Sequence, residues 1–176
     1  ELVGVSNEKR RIGVVIDKLT NSIELVATGD VFNTIITRAT TADKRLIKRK
    51  DWLFDWHREI AYTKREVYRL MTENNADIIQ GLICPEDKGD HLYMHLIESA
   101  AFNRGRRKTF LGVPGNLIAY ACKLAFDRGH DGFVAFTAKT ALVEHYRKEL
   151  GATVIHGTLM HLDSLAARNL VQRYKL

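Results

Sequence analysis

Glu98-Ser99-Ala100-Ala101-Phe102-Asn103-Arg104-Gly105-Arg106-Arg107-Lys108, followed shortly by Gly112-Val113-Pro114-Gly115-Asn116-Leu117-Ile118, is the stretch that decides how this chain folds. Just before it, His91 to Glu98 sets Leu92, Met94 and Leu96 on one side, the alternation of a strand with one buried face. Just after it, Asn116 to Arg128 is apolar nearly all round: Leu117, Ile118, Tyr120, Ala121, Leu124, Ala125 and Phe126. That pattern predicts a buried helix, stopped at Gly129. Pro114 suits the first helical turn, where its missing N–H is not needed. A glycine-bearing turn that opens a helix presents unpaired N–H groups and the positive end of the helix dipole, which suits phosphate. Arg104, Arg106, Arg107 and Lys108 supply cations just upstream. The Lys-Ser/Thr pair of a Walker loop is absent, and so is G-x-G-x-x-G. Alone, Gly112-x-x-Gly115 is equally a plain connection.

Downstream, Gly132 to Phe136 predicts a short buried strand. Thr140 to Leu150 predicts an amphipathic helix with Leu142, Val143, Tyr146 and Leu150 on its inner stripe and Gly151 after it. Thr153 to His161 predicts a strand, and Asp163 caps a last helix running through Tyr174. Upstream, Ile12–Leu19, Ile23–Ala27 and Val31–Thr37 read as strands. The polar turn Thr20-Asn21-Ser22 separates the first two. Glu66–Thr72 and Asp77–Cys84 read as a hairpin around Asn74-Asn75, with Pro85 to Asp90 turning the chain again. The order is several antiparallel strands, then β-α-β-α-β-α. It predicts an α+β fold: one domain over residues 1–176 with a central mixed antiparallel and parallel sheet flanked by helices.

Composition bounds the function. The chain has 176 residues, 45% hydrophobic and 27% charged, enough for one domain with a core. No apolar run reaches the roughly 20 residues that span a bilayer, so no membrane partner is expected. The first residues lack the basic start and apolar run of a signal peptide. Cys84 and Cys122 lie in apolar runs outside any C-x-x-C pair, as buried reduced thiols of a cytoplasmic protein do. The net charge of +6 suits an anionic partner without naming it. His91 and His95 have i,i+4 spacing but lie on a predicted strand, so no metal site is expected.

The run from Glu98 to Ala152 resembles the GNAT superfamily of acyl-CoA N-acetyltransferases. Ala101-Phe102-Asn103-Arg104-Gly105, then Gly112-Val113 with Asn116-Leu117-Ile118, match that family's post-strand segment, loop and helix start. Tyr146 with Gly151 matches its Tyr-x-x-x-x-Gly ending. Pro114 and Thr109 depart from the usual pattern, and extra residues separate Gly105 from Gly112. The resemblance implies a GNAT-like fold with an acceptor-side half at 1–90, an acyl-CoA-binding core at 91–152, and a C-terminal strand and helix at 153–176. It implies acetyl-CoA between strands 91–98 and 132–136. It also implies cofactor contacts at Ala100, Asn103, Arg104, Arg107, Lys108, Gly112, Val113, Gly115, Asn116 and Leu117. The N–H near Ala100 would polarise the acyl carbonyl. A primary amine would attack the thioester directly, with Glu98 as base and Tyr146 as acid. A bulge near Ala100 would aim Glu98, and His95 is a reserve base.

Acceptor contacts fall on the N-terminal half, with Trp52, Asp55, Trp56 and Gln80 as candidates. Asp55 would suit a cationic amine. The acceptor stays open, an RNA-linked amine included, and so does the oligomeric state, a homodimer included. Two other classes compete. One is a catalytically silent module that binds CoA or a protein. The other is a basic RNA-binding protein using residues 44–50 and 104–108.

Overall fold

The computed structural model describes residues 10–19 and 22–176. In chain order these form β1 (Ile23–Leu25), β2 (Val31–Phe32) and β3 (Thr34–Arg38), then two 3-10 turns, Thr41–Leu46 and Arg49–Asp51. Next come α1 (Trp56–Ala61), β4 (Tyr68–Thr72), β5 (Gly81–Asp87) and β6 (Leu92–Ser99). After a 3-10 turn at Ala101–Asn103 follow β7 (Phe110–Leu111), α2 (Val113–Asp127) and β8 (Val134–Thr137). A further 3-10 turn, Thr140–Leu142, leads to α3 (Val143–Leu150), β9 (Thr153–His156), β10 (Leu159–Leu162) and α4 (Ser164–Tyr174).

Seven strands make the central sheet in the order β3-β4-β5-β6-β8-β10-β9, and β2-β1-β7 form a small second sheet. Every pairing of the central sheet is antiparallel except β6 with β8. That exception follows from α2, the crossover joining them, since parallel neighbours need a helix-length connection. The predicted mixed sheet flanked by helices is therefore what forms.

Two apolar layers cover the sheet. One face carries α2, whose Leu117, Ile118, Ala121, Cys122 and Ala125 are buried with Leu170 and Tyr174 of α4. Each large aliphatic side chain so buried contributes about 1.5–3 kcal/mol. A second cluster gathers Ile47, Trp56, Val67, Leu82 and Leu96 beneath the 3-10 turns and α1. Among the described residues no helix is long and apolar enough to cross a membrane.

Four expectations are corrected. Residues 12–19 form no strand and enter pairing only at Ile12, which bridges Ala138; Thr20 and Asn21 of the proposed turn lie outside the described residues. Pro85 does not end β5. The register passes from Cys84↔Leu96 to Pro85↔Met94, so His95 is an extra residue there; a bulge lets a residue without an N–H stay in a strand. The bulge thus falls at His95, while Gly81–Cys84 pair regularly with Ser99–Leu96 up to the end of β6. Thr153–His161 is a hairpin, β9 and β10, reversed at Gly157 with φ +59°.

Candidate active site

The site grows from a fork in the sheet. β6 and β8 pair only at Leu92↔Val134 and Tyr93↔Ala135. The Tyr93 and Thr137 hydroxyls, 2.6 Å apart, close the base of the fork. Beyond it β6 runs on to Ser99 against β5, while β8 ends at Thr137.

Residues 10–17 run along the β8 arm of that opening. The Ile12 N–H donates to the Thr137 carbonyl at 2.8 Å, and the Lys139 N–H donates to the Ile12 carbonyl at 2.9 Å. The Ile16 N–H donates to His145 Nε2 at 2.8 Å. Ile12 and Ile16 are buried, while Val15 is 53% exposed. Beside the segment lies a cleft of about 400 Å³. Ile97, Glu98 and Ser99 of β6, the loop at Asn103–Lys108, and Leu53 with Phe54 form its other sides. Arg11, Arg104, Lys108 and Lys139 face it, against Asp17 and Glu98.

The start of α2 closes the inner end. Gly112 caps it with φ +96°, a conformation that favours glycine. Its N–H donates to Asp17 Oδ1 at 3.1 Å, and Lys108 Nζ pairs with Asp17 Oδ2 at 3.0 Å. An anion, the Asp17 carboxylate, therefore already occupies one N–H of the helix start and one cation of its basic loop, groups that suit a phosphate.

Other predicted cofactor contacts have different places. Asn116 Nδ2 donates to the Ser22 and Gly112 carbonyls, and its N–H to the Gly112 carbonyl, so it brackets the N-terminal segment onto α2. A Cβ on Gly115 would lie 2.1 Å from the Tyr174 hydroxyl, so this glycine admits α4 to α2. Val113 and Leu117 point into the core, and Val113 packs over Gly81. Asn103 is buried, donating to the Gln80 side chain at 2.9 Å and accepting from the Phe110 N–H at 3.0 Å. The Ala100 N–H, expected to polarise an acyl carbonyl, donates to the Gln80 carbonyl at 2.9 Å. It continues the β5–β6 ladder and is spent there. Arg104 lies 3.7 Å from Glu98 Oε2, and Arg107 is exposed.

Glu98 is 2% exposed. It accepts from the Leu53 N–H at 2.8 Å, the Phe54 N–H at 3.2 Å and Trp56 Nε1 at 2.9 Å. With Arg104 beside it, both oxygens are engaged. Tyr146 is fully buried against Phe136, and its hydroxyl donates to the Val14 carbonyl at 2.5 Å. Burial pushes its phenol well above the ordinary tyrosine range, so it stays protonated. His95 is held 3.1 Å from Glu86, and burial lowers its pKa.

The acceptor-side candidates separate. Trp56 is core, Asp55 caps α1 by accepting from the Arg58 N–H at 3.2 Å, and Gln80 is buried under Asn103. Trp52 alone lines an opening, a second cleft of about 430 Å³ with Asp51, Asp77, Ile78, Ala100 and Phe102. Among the described residues no group of His, Cys, Asp and Glu is placed to hold a metal ion. The sequence reading missed Asp17, Val14 and His145. The only signal was one carboxylate at the end of the apolar run Val14-Val15-Ile16.

No family model matches the chain, and no curated protein does. Among solved structures, a nourseothricin acetyltransferase is similar at 16% identity and a TM-score of 0.49, covering 73% of this chain and 97% of its own. A putative streptothricin acetyltransferase from Bacillus anthracis, solved with acetyl coenzyme A, follows at 12% identity and 0.47, with coverages of 73% and 95%. The ribosomal-protein-S18-alanine N-acetyltransferase from Escherichia coli gives 13%, 0.46, 73% and 92%. At these identities and scores the likeness is one of general chain path.

Proposed function

We propose that this chain is an N-acetyltransferase that moves an acetyl group from acetyl-CoA to a primary amine by direct attack in a ternary complex. The observation that supports it most is the fork, which parts β6 from β8 and leads to a helix start already gripping an anion. A carboxylate there is a fair stand-in for a phosphate oxygen, and the surrounding Arg104, Lys108 and Lys139 fit a diphosphate.

When bound, acetyl-CoA supplies a thioester whose acyl carbon an amine can attack without a covalent enzyme intermediate. The chain's own residues do the rest. Gly112 N–H and Lys108 would hold the diphosphate, with Arg104 and Arg107 at the rim. Ile97 to Ser99 form the wall that excludes water. Tyr146, kept protonated by burial, would pass a proton to the departing sulfur once the Val14 carbonyl releases it, and would regain one from the acylated nitrogen. Glu98 works through position: its engaged oxygens fix Leu53–Trp56 and draw Arg104 toward the cleft. The amine approaches past Trp52 and Phe102, where Asp51 and Asp77 favour a cationic acceptor, and loses its proton to water.

A silent binding module is the second reading, favoured by one observation: Val14 and Asp17 already engage Tyr146 and Gly112. Calorimetric titration with acetyl-CoA, then thiol release over a panel of amines, separates the two. Wild type and Asp17→Ala are both measured. We expect micromolar binding, about −8 kcal/mol, and amine-dependent thiol release. Binding without release from any amine would leave the silent module. No binding by either form would end both CoA readings.

A further inference from the structure

We propose, resting on that activity, that residues 10–17 form an autoinhibitory strap that lies in the cofactor's path and must leave before acetyl-CoA seats. Ile12 takes the backbone partners of Thr137 and Lys139 on the side of β8 that β6 has vacated. The Asp17 carboxylate holds the Gly112 N–H, a single donor that cannot serve it and a phosphate at once, and pairs with Lys108 beside it. The Val14 carbonyl holds the Tyr146 hydroxyl, the proposed acid.

The strap is built to be removable. It makes a single β-bridge, then borrows side chains from α3 instead of extending a ladder. Ion pairs latch it at both ends: Arg10 to Glu59 at 3.2 Å, and Asp17 to Lys108 at 3.0 Å. Glu59 keeps a second partner, Arg65 at 2.7 Å, so it is not stranded when Arg10 lets go. The cleft beside the strap, faced by Arg11, Arg104, Lys108 and Lys139, gives an incoming polyanion a first foothold. Competition of this kind lowers apparent affinity by the fraction of molecules with the strap displaced.

The test is hydrogen exchange on the full chain with and without acetyl-CoA, paired with calorimetry of Arg10→Ala. Arg10 touches none of the proposed cofactor donors, so its loss weakens only the latch. With acetyl-CoA, exchange should rise in residues 10–19 and fall in residues 112–117. Arg10→Ala should bind acetyl-CoA about fivefold tighter or more. Binding accompanied by slower or unchanged exchange in residues 10–19 would make the segment a fixed wall and overturn the strap, leaving the activity standing. No binding and no exchange change in either form would overturn the activity, and the strap with it.

Discussion

At the scale of single residues, the carboxylates are placed by the donors around them. Its place at the end of the strand beside the cleft makes Glu98 a candidate base, and it does line that cleft. Two backbone N–H groups and an indole N–H converge on it, however, so its charge holds a loop together. Glu98→Gln keeps the shape but turns an amide NH2 toward donors. It should cost about 2 kcal/mol of stability, in the range for a buried charge-assisted bond. Urea denaturation measures this, and an unchanged midpoint would contradict it. The cysteines are the opposite case: Cys84 and Cys122 are free and buried, and burial pushes the Cys122 thiol up to about 12.

Among the elements, α2 ties the molecule together. Its C-terminal Arg128 donates to Glu66, at 2.6 Å from Nη1 and through Nη2, and to Asp87 at 3.3 Å. Arg128 holds the Glu66 carboxyl below its ordinary value of 4.5. A depressed folded-state pKa gives stability that is fully present above the unfolded value and lost as pH falls through the folded one. Stability should therefore drop as pH falls below 4.5, and Arg128→Ala should flatten that acid limb. Urea melts at graded pH check it; parallel limbs in the two proteins would refute the assignment. α2 was legible because its residues are apolar all round, and α4 because Asp163 caps it, accepting from the Ala166 N–H at 2.9 Å. The β9–β10 hairpin was not, because Val154-Ile155 and Leu159-Met160 both favour a strand and only the short His156-Gly157-Thr158 between them marks the reversal. The Pro85 bulge was hidden likewise, since a proline ordinarily ends a strand and only the pairing register shows otherwise. Among the candidate site residues, Gly112 and Lys108 could be read from the turn and its charge. Asp17 could not, since it reaches them from 91 and 95 residues away in sequence.

For the whole molecule, the N-terminal segment joins fold and function. Removing residues 1–19 uncovers the core beneath Ile12 and Ile16, a loss of about 3–6 kcal/mol for two such side chains. It also frees the Gly112 N–H, Lys108 and Tyr146. The truncated chain should melt lower than the full one, yet gain more in melting temperature from saturating acetyl-CoA, because ligand then replaces what the strap supplied. Equal ligand-induced shifts in the two forms would contradict this. The charge of +6 adds a second expectation, that cofactor binding weakens as salt rises.

The central claim is that the amide of Gly112 and the ammonium of Lys108 at the head of α2 hold the cofactor's diphosphate. Titrating acetyl-CoA into Asp17→Ala, with and without Lys108→Ala added, tests it most directly. Saturable micromolar binding that weakens about tenfold when Lys108 is removed is the predicted result, the worth of one charge-assisted contact. Binding of equal strength with and without Lys108, or a flat titration in both proteins, would contradict it.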